Sequence, residues 1–186
     1  MLAAISSLKY IYFAYFSRPA CDRAVYRAIR RQRVRRILAI GLGSGERAVR
    51  MIRTAQRYHA AAEVRLTALD LFEARSASDP AGLSLKQAHR LLTATGARVQ
   101  LVPGDPFTAL AHCANALQNT DLVILAAGLA PDSLARAWFY LPRMLQAGSL
   151  VFEESFDVAT GMPVLTVLDR ATIDARAAAP VRRHAA

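Results

Sequence analysis

Arg36-Ile37-Leu38-Ala39-Ile40 runs straight into Gly41-Leu42-Gly43-Ser44-Gly45, and the reading of this junction decides the fold. The first five residues are a short apolar run with β-branched isoleucines, the sequence form of a buried parallel strand. Glu46 to His59 then sets Ala48, Val49, Ile52, Ala55 and Gln56 on one side and mostly arginines on the other. That is an amphipathic helix with a period of about 3.6 residues. A second strand follows, Val64 to Leu69, and ends on the acid Asp70. Strand, glycine turn, helix, strand and terminal acid make a nucleotide-binding βαβ unit. Glycine lets the backbone turn sharply and approach a ligand, and a helix N-terminus offers free N–H groups. An acid at the end of the next strand accepts hydrogen bonds from a ribose diol.

The glycine spacing separates two kinds of ligand. A dinucleotide fingerprint reads GxGxxG/A, with a small residue at the sixth place. Here the glycines fall as GxGxG and the sixth place is Glu46, whose carboxylate repels a pyrophosphate, with Arg47 beside it as a partial offset. A cofactor without phosphates suits the turn better. On these residues the chain resembles the class I S-adenosylmethionine-dependent methyltransferases, whose first motif reads [D/E]-x-G-x-G-x-G. The acid's place is Ala39, and in that family the acid helps to hold the methionine end of the cofactor. The resemblance implies that Gly41, Gly43 and Gly45 cradle the methionine end and that Asp70 holds the ribose. The alternative for the glycines is a tight turn that packs a helix onto a sheet.

Downstream the resemblance continues. Leu71-Phe72-Glu73 follows Asp70, and in the family the residues past this acid flank the adenine. Leu71 or Phe72 is therefore a candidate wall, and Phe72 reads equally well as core. Ala74 to Leu83 reads as a loop. A helix through Gly96 opens on a Ser84/Gln87 capping box, with Ala88, Leu91, Leu92 and Thr95 inward and His89 on the surface. Arg98 to Val102 is a third strand. Gly104-Asp105-Pro106-Phe107 resembles the family's GD-aromatic corner, where the aspartate recognises the adenine amino group; Asp105 also suits the N-cap of a helix over Thr108 to Asn119.

The fourth strand, Asp121 to Leu125, closes on Ala126-Ala127-Gly128. Many family members carry a metal aspartate or Asn-Pro-Pro-Tyr there. This turn offers neither, so no bivalent metal site and no general base are expected from it. Asp132 to Leu145 reads as a helix holding Trp138, Phe139 and Tyr140. Leu141-Pro142-Arg143-Met144-Leu145, a Gly148 turn and Ser149 to Glu154 resemble the family's approach to its fifth strand. Glu153 and Glu154 alternate sides, so one of them faces the crevice. Together with Tyr140 they are the acceptor-side candidates. Met162 to Leu168 reads as a last, antiparallel strand.

Length and composition bound the rest. One domain of 186 residues supports a single sizeable core, and 54% hydrophobic residues argue for a folded globule. Cys21 and Cys113 lie far apart without a CxxC, which indicates neither zinc nor a disulfide framework. A cytoplasmic, reduced setting is the expectation. The formal charge of +10 rests almost wholly on arginine, since only Lys9 and Lys86 are lysines. Arg23, Arg27, Arg30 and Arg31 share one helix face. With only Tyr26 to stack on, this face reads as solvated, opposite Val25, Ala28 and Ile29, and weak, sequence-indifferent nucleic-acid binding is expected of it. Leu2 to Phe16 is apolar and aromatic, too short to span a bilayer and interrupted by Lys9. No basic residue precedes it, which argues against a signal peptide. It reads as a helical cover over the sheet or, alternatively, as an amphipathic anchor at a membrane surface.

These readings converge on an α/β, three-layer Rossmann-like domain, with parallel strand order 3-2-1-4-5 and one antiparallel edge strand. The expected division is a helical cover over residues 1–32, a cofactor-binding domain over 33–170 and an Ala/Arg-rich tail over 171–186. The function implied by the resemblance is S-adenosylmethionine binding and metal-independent methyl transfer to an unknown acceptor. The alternative is a non-catalytic module that binds a protein or nucleic-acid partner through its arginine helix.

Overall fold

A computed structural model describes residues 5–77 and 79–179; the expected tail beyond Ala179 and the first residues of the apolar segment lie outside them. Six strands form one sheet: β1 (Arg36–Ile40), β2 (Arg65–Asp70), β3 (Arg98–Pro103), β4 (Thr120–Leu125), β5 (Leu145–Phe156) and β6 (Pro163–Leu168), in the order β3-β2-β1-β4-β5-β6. All neighbours are parallel except β5 and β6, which pair antiparallel. The fold is therefore the α/β, mostly parallel, Rossmann-like one that the sequence predicts.

Alternation along the strands supplies a core on each face. Ile37, Ala39, Leu66, Ala68, Leu122, Ile124 and Phe152 meet α2 (Asp22–Gln32), α3 (Glu46–Ala55) and α4 (Leu85–Thr93). Leu38, Ile40, Leu69, Val123, Leu125 and Val151 meet α5 (Pro106–Cys113), α6 (Pro131–Ala137), α7 (Leu141–Met144) and α8 (Arg170–Ala178). Parallel strands covered on both faces are apolar where they are buried, as β1 is over residues 37–40 and β4 over residues 122–125. The N-terminal segment, α1 (Ser7–Ile11) and a π-helical turn over Tyr12–Phe16, lies on the first face, where Tyr10, Phe13 and Ala14 are buried against Val25, Tyr26 and Ile29.

Several elements differ from the sequence expectation for local reasons. The helix expected over Asp132 to Leu145 is divided into α6, a 3₁₀ turn over Trp138–Tyr140 and α7. Pro142 lacks the N–H that an unbroken helix needs there. The helix expected from Thr108 begins at Pro106, because Asp105 caps it, and gives way to a 3₁₀ turn at Ala114. β5 starts at Leu145 rather than Ser149 and absorbs the expected Gly148 turn. Its register against β4 shifts between Thr120 and Leu122, where the Ser149 hydroxyl accepts from Gln146 N–H and donates to Thr120 C=O. Leu91, expected inward, is 37% exposed and stands with Leu83 over Gly45.

The Ala/Arg-rich stretch begins with the helix α8, which packs on the second core, with Ile173 only 2% exposed and the Arg176 guanidinium 4.8 Å from the Trp138 ring. Ile173→Ala should cost about 2–5 kcal/mol, the range for emptying a core site of this size. Urea unfolding checks it; a loss below about 0.5 kcal/mol, typical of a surface substitution, would show that α8 is not part of the cooperative unit.

Candidate functional site

The carboxyl ends of β1, β2 and β4 open into a crevice, the place where open parallel sheets bind ligands. Gly41 N–H bonds Leu69 C=O at 2.8 Å, Ala126 N–H bonds Ile40 C=O at 2.9 Å and Gly104 N–H bonds the Asp70 C=O at 2.9 Å. The turns after β1, β3 and β4 are thereby fastened to one rim.

The three glycines have different tasks. Gly41, at φ 83°, has the Ala126 methyl so near that a Cβ would fall 2.6 Å from it, and Gly45 lies under Leu91 and Leu83. Both are explained by packing. Gly43, at φ 56°, has nothing within 4 Å of the place its Cβ would take and lines both cavities of the crevice.

One cavity is lined by Gly41, Gly43, Leu69, Asp70, Leu71 and Asp105, closed by the Asp79–Ala81 loop and by Leu129. Asp70 is its most constrained group: one carboxylate oxygen accepts Leu42 N–H at 2.8 Å, and the other accepts Leu71 N–H at 2.7 Å and pairs with Arg75. Arg75 folds back from its loop to reach both Asp70 and Leu83 C=O, crossing the place a Cβ at Gly82 would need. Asp105 caps α5 through Phe107 and Thr108 N–H and accepts from the Ser133 hydroxyl. Burial works against its charge, but the Ser133, Thr108 and backbone donors hold its carboxyl below the usual range. Leu71 is half-buried on the cavity wall, whereas Phe72 is 3% exposed within the first core and does not line it.

The second cavity has Ala39 and Ile124 at its base and Arg18, Asp22, Glu46, Arg47, Arg50 and Glu154 around it. Arg47 does not offset Glu46, as its sequence position suggests. Its Nε stands 2.7 Å from Asp22 Oδ1, an ion pair without hydrogen-bond alignment, and its terminal nitrogens reach Glu154. Glu46 instead pairs with Arg50 one helical turn on, at 2.9 Å. Glu154 also accepts Ala127 N–H at 3.2 Å, so the turn empty of catalytic side chains is tied to β5. Of the acceptor-side candidates, Glu154 reaches the crevice. Glu153 points elsewhere and pairs with Arg176 at 2.7 Å. Tyr140 packs between Phe107 and Phe139.

Asp22, Arg75 and Ser133 escaped the sequence reading. Asp22 had one signal, as the lone acid in a helix of arginines; Arg75 and Ser133 had none, because their partners lie across loops. Among the described residues no group of three or more His, Cys, Asp or Glu side chains is placed to hold a metal, and no helix is long and apolar enough to cross a membrane.

The sheet is that of a Rossmann-like fold shared with solved methyltransferases. A putative caffeoyl-CoA O-methyltransferase from Staphylococcus aureus superposes with a TM-score of 0.56 at 14% identity, over 93% of this chain and 79% of that one. An O-methyltransferase from Bacillus cereus in complex with SAH gives 0.54 at 15% identity, over 76% and 58%. TomG from Streptomyces achromogenes, in complex with SAM, gives 0.52 at 14%, over 83% and 67%. Against several such structures the chain spans only 58–65% of their length. No protein-family model matches the sequence, and no curated protein matches it.

The shared arginine makes a pH-dependent prediction. Burial raises the Asp22 carboxyl above its ordinary value although Arg47 opposes this. Glu154 is also penalised by burial, yet the hydrogen bonds and charge of Arg47 bring it below its ordinary value of 4.5. The Glu154 contribution to stability is therefore present above that value and lost as pH falls through the lowered one; the Asp22 contribution has the opposite sign. Arg47→Met leaves two buried carboxylates without their cation and should cost about 3–5 kcal/mol at neutral pH. The loss should shrink on acidification, as both acids take up protons. Urea titrations of wild type and variant across the acid range read this directly; a cost independent of pH would contradict it.

Proposed function

We propose that the crevice binds S-adenosylmethionine and that the chain transfers its methyl group without a bivalent metal. The observation that carries this reading is the meeting of Gly43, Asp70, Leu71 and Asp105 on one cavity. The likeness of the chain's fold to solved structures named as complexes with SAH and SAM supports it.

The donor set suits the cofactor. A carboxylate has about four lone-pair sites, and Asp70 uses three of them on Leu42 N–H, Leu71 N–H and Arg75. One remains for a ribose hydroxyl, and withdrawal of the Arg75 side chain frees another. Leu71 supplies an apolar wall for adenine. Asp105 already accepts four hydrogen bonds, three of them on Oδ1, so only its Oδ2, which accepts from the Thr108 hydroxyl alone, has room for the exocyclic amine. The backbone at Gly43 admits the methionine end, and the mixed charges of the second cavity, Arg18 and Arg50 beside Asp22 and Glu154, suit an amino acid's ammonium and carboxylate. S-adenosylmethionine supplies an electrophilic methyl group when bound. The chain's part is alignment and exclusion of water.

A base is needed only where the acceptor must lose a proton. Glu154, its carboxyl held down by Arg47 and Ala127 N–H against burial, is a poor base. The crevice thus favours an acceptor that attacks without prior deprotonation, although the neighbours are named O-methyltransferases. Ala39, and Arg75 seated on Asp70, favour the second reading: a non-catalytic module that meets its partner through the arginine helix.

Titration calorimetry with S-adenosylhomocysteine and with NAD separates these readings. The first reading expects binding of S-adenosylhomocysteine in preference to NAD. Asp70→Asn keeps an acceptor for Leu42 N–H but removes the charge, and should weaken binding about tenfold, the equivalent of one charge-assisted hydrogen bond. Arg75→Ala should tighten it by a similar factor, and Gly43→Leu should abolish it. Binding of NAD alone would make the methyltransferase reading wrong; binding of neither would favour the non-catalytic module.

A further inference from the structure

The N-terminal segment has two apolar faces. Tyr10, Phe13 and Ala14 are buried on the body of the protein. Leu8, Ile11, Tyr12, Tyr15 and Phe16, spaced i, i+3, i+4, i+7 and i+8, form a second stripe. Each is at least 44% exposed, and Leu8 is 79% exposed. A helix apolar on both sides is at home only where both sides are covered. An exposed stripe of this kind on a folded domain marks an interaction surface.

Charge identifies what covers it. Thirteen of the 24 basic residues precede Ala60 and face only two acids, Asp22 and Glu46, so this third of the chain carries a formal +11 and the remainder −1. Both acids are engaged, Asp22 by Arg47 and Glu46 by Arg50. Arginines of α2, of α3 and of the turn after α3 surround the segment: Arg27 lies 5.9 Å from the Tyr15 ring, Arg30 and Arg57 each lie 5.4 Å from Tyr10, and Arg50 lies 5.9 Å from Phe13. A second copy of the chain would bring two such fields together, which like-charge repulsion opposes. Nucleic acid would satisfy the arginines and stack on the tyrosines but leaves Leu8 and Ile11 without a role.

We propose that this face docks on an anionic lipid surface, with Leu8, Ile11 and Phe16 entering the acyl boundary, Tyr12 and Tyr15 at headgroup depth and Arg27, Arg30 and Arg31 on the phosphates. The proposal does not depend on the methyltransferase reading.

Vesicle flotation with the full chain tests it, using phosphatidylcholine alone and phosphatidylcholine mixed with phosphatidylglycerol. Binding is expected to the mixed vesicles and to weaken with salt. Every substituted position is exposed, and circular dichroism verifies that the fold is kept. Arg27→Glu combined with Arg30→Glu should weaken partition at least about 25-fold, at about fivefold for each cation lost near the surface. Leu8→Ser with Phe16→Ser should weaken it at least about tenfold without altering the salt dependence. Failure of the wild type to bind the anionic vesicles would overturn the proposal, and so would equal binding to neutral ones. A dimer in solution that the Leu8 and Phe16 substitutions dissociate would overturn it in favour of self-association. Duplex DNA binding weakened by the same two substitutions would assign the stripe to nucleic acid and overturn it too.

Discussion

The Asp70 carboxylate is the constraint around which the crevice is built. By accepting Leu42 N–H from the glycine turn and Leu71 N–H from its own strand end, it locks two loops whose backbone would otherwise present unpaired donors. A buried donor without an acceptor costs more than the bond itself contributes, so this bond holds the turn after β1 against the end of β2. Arg75 neutralises the charge that this arrangement buries. Arg75 thus occupies one of the Asp70 oxygens at the rim, and under the proposed reading a bound ribose would compete with it there.

A second electrostatic joint lies on the other side of the glycine turn. Arg47, on the helix that the turn launches, connects Asp22 of α2 with Glu154 of β5. Two acids sharing one cation leave this cluster one charge negative, and it adjoins Ala39, where the family resemblance leads one to look for an acid. The negative charge missing from β1 is present nearby, supplied from elements distant in sequence.

The sheet was legible in the sequence because the central strands β1 and β4 carry continuous apolar runs that end at distinct turns. Arg36–Ile40 was read to the residue, and Ser84 and Gln87 form the expected capping box. The breaks at Pro142 and Ala114 were harder to read, because the apolar pattern carries on through them while the backbone does not. The site divided along the same line. Gly43, Asp70, Leu71 and Asp105 could be placed by local spacing, and they line one cavity. Phe72 had two readings, and burial in the core is the one realised. Arg75, Ser133 and the Asp22–Arg47–Glu154 cluster depend on contacts across loops and between layers, which no spacing rule encodes. Glu153 and Glu154 could be assigned to opposite sides, but only their partners Arg176 and Arg47 tell which faces the crevice.

The central claim, that the glycine turn and the Asp70 rim together receive the adenosyl cofactor, is most directly tested by amide NMR of the isotopically labelled protein titrated with S-adenosylhomocysteine. The account predicts shifts concentrated at Gly41 to Gly45, Leu71 and Gly104, together with a change at the Arg75 guanidinium as it leaves Asp70. Shifts confined to the arginine helix, or none at these amides at saturating ligand, would contradict it.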